Sequence, residues 1–214
     1  DPVTGTLTPT TPLGDGVHSI TTTLTDAAGN ESPQSAALPL TVDTAAPAAP
    51  AAPTSTAPST NDNTPGIHIG VGLTDTPSLY VDGVKVPATY DPVTGMLTPT
   101  TPLADGAHSI TTRATDAAGN VSPVSPALAL TVDTAAPAAP AAITGYADDI
   151  GRITNPNSTA PVTDDNRPGF NVGTGLTDTP SLYVDGVKVP ATYDPVTGTL
   201  TPTTPLGDGV HQFT

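Results

Sequence analysis

From Ala107 to Asp116 the chain alternates with a period of two, His108, Ile110, Thr112 and Ala114 on one face and Ser109, Thr111 and Arg113 on the other. Ala127 to Asp133 alternates as well, with Leu128, Leu130 and Val132 on the inward face. Successive side chains of an extended strand point to opposite faces, so such runs predict half-buried antiparallel strands. Leu79-Tyr80-Val81, Asp82-Gly83 and Val84-Lys85-Val86 read as a hairpin, because Asp-Gly suits a two-residue turn with positive φ. Asp91–Gly95 and Ala104–Gly106 are further turns. No stretch of useful length has helical spacing. The pattern predicts seven strands: a weak one at Pro53–Ala57, then Gly66–Gly72, Ser78–Val81, Val84–Thr89, Met96–Thr100, Ala107–Asp116 and Ala127–Val132. Short strands punctuated by Gly, Pro and Asp predict an all-β fold, an antiparallel β-sandwich.

The chain then repeats itself. Gly72–Gly95 recurs unchanged as Gly175–Gly198, and Asp1–Gly5 matches Asp91–Gly95. The two shifts are unequal, and the extra residues lie between Ala142 and Asp164. The periods are too long for a solenoid turn and suit a whole small domain. The expected organisation is an excerpt from a tandem array, truncated at both ends. Residues 1–43 are the C-terminal part of one unit and 44–133 a complete unit, opening on a Pro/Ala linker at 44–53. Residues 134–214 are the N-terminal part of a third, with a longer first loop. An odd strand count passes the chain in at one end of the sandwich and out at the other. It also sets Asp116–Asn120 at the leading end, facing the unit before. Proline at every third linker position favours an extended, semi-rigid spacer, the alternative being a flexible low-complexity linker where no ion braces it.

Charge removes several function classes. The 214 residues carry 5 Lys+Arg against 20 Asp+Glu, for a net charge of -15. Nucleic acid and anionic membrane surfaces both require a basic footprint, so neither is expected as a partner. No apolar run is long enough to span a bilayer, so no membrane insertion is expected. Cysteine is absent.

"TDAAGN" (Thr25–Asn30 and Thr115–Asn120), "LALTVDTAAP" (Leu128–Pro137), and the pair "DDIG" (Asp148–Gly151) and "TDDNRPG" (Thr163–Gly169) resemble the bacterial Ig-like repeats of giant secreted adhesins and biofilm-associated surface proteins. The likeness spans essentially the whole chain. It implies tandem Ig-like sandwiches in an extracellular stalk at the bacterial cell surface. The neighbouring repeats would be the partners, and distal domains would meet host or biofilm ligands. It also implies calcium at or near the junctions. The unit beginning at Thr44 departs from the pattern, keeping Asn61-Asp62-Asn63 but no counterpart of Asp148-Asp149.

Calcium takes several carboxylate, amide and carbonyl oxygens. Asp116, Asn120 and Asp75, with Asp43 from the unit before, form one candidate ligand set, and Asp133, the copy of Asp43, is a further candidate ligand. Asp148, Asp149, Asp164 and Asp165 form another, where acids crowd without basic partners. Carboxylates at contact repel by about 1 kcal/mol in water and roughly 4 where solvent is partly excluded, a cost a divalent cation removes. The alternative for Asp116 is a plain turn, closed by an Asx hydrogen bond and a left-handed Gly119. Asp82, Asp91, Asp105, Asp185, Asp194 and Asp208 read as turn formers. His18, His108, His211 and His68 read as packing residues, since no metal or catalytic partner stands at suitable spacing. No nucleophile elbow or phosphate loop is present, and an enzyme is not expected. The expected function is a calcium-stiffened stalk repeat in cell adhesion and biofilm formation. Alternatives are a glycan- or protein-binding module using the Leu79–Val86 hairpin, and a non-catalytic spacer of a secreted polysaccharide-degrading enzyme.

Overall fold

The computed structural model describes every residue of the chain except Pro2 and Ile153, so Pro2 of the Asp1–Gly5 motif lies outside the described residues. The described residues are all-β and include no helix; none is therefore long and apolar enough to cross a membrane as a helix. They divide into two compact units, Asp1–Ala135 and Ala136–Thr214.

The first unit begins with a ribbon in which β1 (Gly16–Ile20) pairs antiparallel with β2 (Leu38–Val42). Eight segments follow: β3 (Ser59–Thr60), β4 (Ile67–His68), β5 (Thr76–Val81), β6 (Val84–Val86), β7 (Ala88–Asp91), β8 (Met96–Pro99), β9 (Gly106–Thr115) and β10 (Leu128–Val132). They form one sheet of order β3-β10-β9-β5-β6 and another of order β4-β8-β7. Between the sheets lie Ile67 and Leu97 from the smaller, and Leu79, Val81, Ile110 and Leu130 from the larger. This is the sandwich that the alternation predicts.

Proline decides where the strands differ from expectation. Val84–Thr89, expected as one strand, is interrupted at Pro87: β6 pairs with β5 in one sheet and β7 with β8 in the other. Without an N–H, proline cannot continue a ladder, so the chain steps between sheets there without reversing. The expected first strand at Pro53–Ala57 is split the same way. Thr54 bridges to His68 in the smaller sheet, and pairing resumes at β3 alongside β10. Between β9 and β10, Pro123 and Pro126 exclude a strand, and serine hydroxyls replace the missing ladder. Ser122 Oγ accepts the N–H of Ala114 and Ser125 Oγ that of Thr112, each at 2.9 Å.

The chain still travels in seven directions, and β3 runs parallel to β10. It therefore enters the complete repeat at one end, the leading end, and leaves at the opposite, trailing end.

The second unit contains β11 (Tyr146–Asp148), β12 (Asn155–Ser158), β13 (Gly169–Asn171), β14 (Leu182–Val184), β15 (Val187–Val189), β16 (Ala191–Asp194) and β17 (Thr199–Pro202). The expected longer first loop is a hairpin, β11–β12, that extends the sheet to order β12-β11-β13-β17-β16. The positions of Ile67 and Ile110 are taken by Phe170 and Phe213, whose ring centroids stand 4.2 Å apart.

Candidate functional site

The turn Asp116–Asn120 closes the leading end between β9 and the segment before β10. Asp116 Oδ1 accepts the N–H groups of Ala118 (3.0 Å) and Asn120 (2.8 Å), and its Oδ2 accepts Asn120 Nδ2 at 3.0 Å. Gly119 sits at φ +95°, where a residue with Cβ is strained. The Asn120 amide, ahead of the backbone donors, holds the Asp116 carboxyl below the usual carboxylate range. Asp26 and Asn30 build the same turn in the first repeat, with the same bonds at 2.9 Å. The repeated "TDAAGN" thus encodes a self-contained Asx turn that leaves one amide proton of its asparagine to spare.

That spare donor makes the contact between repeats. Asn120 Nδ2 also donates to the backbone carbonyl of Asp43 at 3.0 Å. The Asp43 side chain turns the other way and accepts the N–H of Ala45 at 3.0 Å. Asp15 holds the next residue, accepting the N–H and hydroxyl of Thr44 at 3.0 and 2.9 Å. The linker is fastened at its start from both sides. Asp105 and Thr134 repeat this clamp at 3.1 and 2.9 Å, and Asp133 caps Ala135 as Asp43 caps Ala45. Asp75 is half-buried before β5 and lines a recess of about 270 Å³ beneath Ala48–Ala51. Hydrogen bonds link Asp116, Asn120 and the Asp43 backbone.

The other candidate acids gather at the opposite end of their sandwich. The register Ala147↔Gly169 places Asp148, at the end of β11, beside the 164–168 segment. Gly151, at φ +84°, packs directly on the Asp164 carboxylate, leaving no room for a Cβ. Asp165 is only 4% exposed; its Oδ1 accepts the N–H of Arg167 at 2.7 Å. Asp165 Oδ2 and Asp148 Oδ1 are buried and have no hydrogen-bond partner among the described residues. Asp149 is exposed. Orphaned buried carboxylate oxygens are costly, and they are the donors a hard cation prefers, so these residues fit calcium in kind. Among the described residues, no group of three or more His, Asp and Glu is drawn close enough to enclose a metal in the geometry present. The candidate list therefore divides by position, with Asp43, Asp75, Asp116 and Asn120 at the leading end. Asp133 stands apart as a linker cap, and Asp148, Asp149, Asp164 and Asp165 belong to the trailing side.

The histidines depart from the packing role expected of them. His68 is exposed. His108 engages both ring nitrogens, Nδ1 with Asp82 Oδ2 at 2.7 Å and Nε2 with the Ala104 carbonyl at 2.8 Å. His211 does the same with Asp185 (2.7 Å) and Gly207 (2.8 Å). His18 meets the Gly14 carbonyl at 2.7 Å. Asp82 and Asp185 are turn formers as expected, at φ +53° and +52°, but their carboxylates also reach across to a strand start. One signal in the sequence could have exposed the pairing: both copies keep Asp and His at the same separation.

The profile of the bacterial Ig-like domain matches residues 3–44 and 52–134, more than half of the chain. No curated protein matches it.

Proposed function

The chain belongs to the bacterial Ig-like domain family, and from that premise we propose that it is a non-catalytic spacer, a run of stalk repeats from a secreted bacterial surface adhesin that serves cell adhesion and biofilm formation. The observation that carries this reading is the parallel pairing of β3 with β10, the first and last strands of the complete repeat. Parallel first and last strands send the chain onward rather than back, which suits modules strung head to tail. The Asn120–Asp43 bond and the Asp15–Thr44 clamp support the same role, since both restrain the linker where one repeat hands over to the next.

Calcium is the proposed stiffening ion, and Asp148, Asp164 and Asp165 are its best-supported holders. The two partnerless buried oxygens supply the motive, and bound calcium would supply a positive charge for them. The remaining work belongs to the chain: the hairpin β11–β12 positions Asp148, and the Thr163–Arg167 turn positions Asp165. Calcium titrated to millimolar levels should raise the melting temperature of the full chain, since extracellular modules bind at about 10⁻⁴ to 10⁻³ M. Asp165→Ala should abolish that rise. A melting temperature that ignores millimolar calcium removes the ion from the proposal.

A second reading rests on one surface. Lys85 stands opposite Tyr80, and the Arg113 guanidinium lies 5.7 Å from the Tyr80 ring centroid. Cations gathered around an aromatic ring in so acidic a chain suit an acidic glycan. Binding of such a glycan without calcium, lost in Arg113→Ala, would favour a binding module over a spacer.

A further inference from the structure

Three turns and strand starts meet at the trailing end of the complete repeat: Asp82-Gly83 after β5, Ala104-Asp105 after β8, and the first residues of β9. His108 stands among them, its side chain 12% exposed. We propose that Asp82, His108 and the Ala104 carbonyl form a proton-operated clasp that tightens the trailing end of the repeat as the medium turns mildly acidic.

The argument is one of donors and acceptors. Nε2 faces a backbone carbonyl at 2.8 Å and Nδ1 a carboxylate oxygen at 2.7 Å. Both groups only accept. A neutral imidazole carries one N–H, so one contact would set lone pair against lone pair; the imidazolium has two and satisfies both. The carboxylate is fixed independently of the ring. Asp82 occupies a left-handed turn position at φ +53°, and its Oδ1 takes the Ser109 N–H at 2.8 Å. The second unit repeats the set, with Gln212 N–H on Asp185 Oδ1 at 2.8 Å and His211 between Asp185 and Gly207.

Charges around the ring do not oppose this assignment. The carboxylate of Asp105, on the neighbouring turn, is occupied by Thr134. On β10 the residue opposite His108 is Leu130, which is uncharged. On β6, Lys85 stands opposite Tyr80. The Ala104 carbonyl first, and the Asp82 carboxylate second, raise the His108 pKa above its ordinary value of 6.5. In His211 the order is reversed, Asp185 leading Gly207, with the same direction. Because the folded value is raised, the stabilisation is fully present below pH 6.5. It is lost as pH rises through the higher folded value, where the proton leaves and one contact breaks.

The test uses the full chain. The His108 ring C–H resonance is followed against pH in the parent and in Asp82→Asn, since asparagine tolerates the left-handed turn. The clasp requires a midpoint above 6.5 in the parent and a lower one in the variant. A midpoint at or below 6.5, or one that Asp82→Asn leaves in place, overturns it. The pair His108→Gln, His211→Gln provides an independent check that does not rely on the turn. The melting temperature of the parent should drop as pH rises past 6.5, and this slope should flatten in the double variant. An undiminished slope also overturns the clasp.

Discussion

Leu40 and Leu130 sit at one repeat position in nearly identical strands, "LPLTV" and "LALTV", yet Leu40 is 44% exposed and Leu130 only 2%. Their backbone partners correspond as well. Leu40 pairs with His18 and Leu38 with Ile20, as Leu130 pairs with His108 and Leu128 with Ile110. Strand pairing and register are therefore properties of the local sequence, since the first repeat has them with two strands alone. Burial is not. It arises where β5 flanks β9 and the sheet β4-β8-β7 covers the inner face, and within these residues only the complete repeat has both.

The comparison breaks most directly if the first repeat is given what it lacks. Fusing a second copy of residues 44–90 in front of Asp1 restores the order of the complete repeat, because Asp1–Gly5 repeats Asp91–Gly95. Amide protection in β2 should rise on the order of a hundredfold or more, as local opening gives way to cooperative opening. Unchanged protection would mean that the ribbon's exposure is intrinsic to its sequence.

Truncating the paired leucines is the next largest effect. Leu130→Ala should cost about 2–5 kcal/mol, the range for emptying a packed site. Leu40→Ala, already half in water, should stay within about 1 kcal/mol. Denaturant unfolding of the full chain reads both, and equal losses would contradict the burial difference.

Much of this architecture was legible before any coordinates. Alternation located β9 and β10, and Asp-Gly located the β5–β6 turn, because each is a local property carried by neighbouring residues. The break at Pro87 was visible as a proline but not as a change of sheet, which depends on which strand lies alongside. The serine hydroxyls that stand in for the ladder at Pro123 and Pro126 went unread for the same reason. For the candidate site, the Asx turn at Asp116 was one of two readings, and its bonds to Ala118 and Asn120 are local. The tie from Asn120 to Asp43 and the pairing of Asp82 with His108 join residues far apart in sequence. Side-chain chemistry alone does not announce such meetings.

Glycine sharpens the comparison at a smaller scale. Gly5 and Gly95 hold equivalent turns at φ +67° and +72°. A Cβ at Gly5 meets nothing within 4 Å, whereas at Gly95 it would lie 2.7 Å from the Gly70 backbone. Gly5→Ala should show only the left-handed penalty, about 1–2 kcal/mol and less if the ribbon relaxes. Gly95→Ala adds a collision with main chain that no side-chain rotation can relieve, so its loss should be clearly larger. Equal shifts in the denaturation midpoint would mean that the Gly70 loop yields freely.

The finest distinction lies between Asn30 and Asn120. Each asparagine donates to its own aspartate at about the same distance, 2.9 and 3.0 Å, and only Asn120 also reaches the Asp43 carbonyl. Replacing either by alanine removes the internal bond, so that part of the loss is common to both. The remainder for Asn120→Ala is the tie between repeats, a single hydrogen bond worth about 0.5–1.5 kcal/mol. It should fall near the lower figure, because the freed Asp43 carbonyl lies close to water and can be rehydrated. A second readout separates the tie from the turn: Asn120→Ala should loosen the linker's first residues, seen as faster exchange at the Ala45 amide, while Asn30→Ala should leave that amide unchanged. If both variants lose the same stability and Ala45 exchanges alike in each, the Asn120 contact carries no force between the repeats. Restraint at that junction would then rest on the Asp15–Thr44 clamp and the Asp43 cap on Ala45.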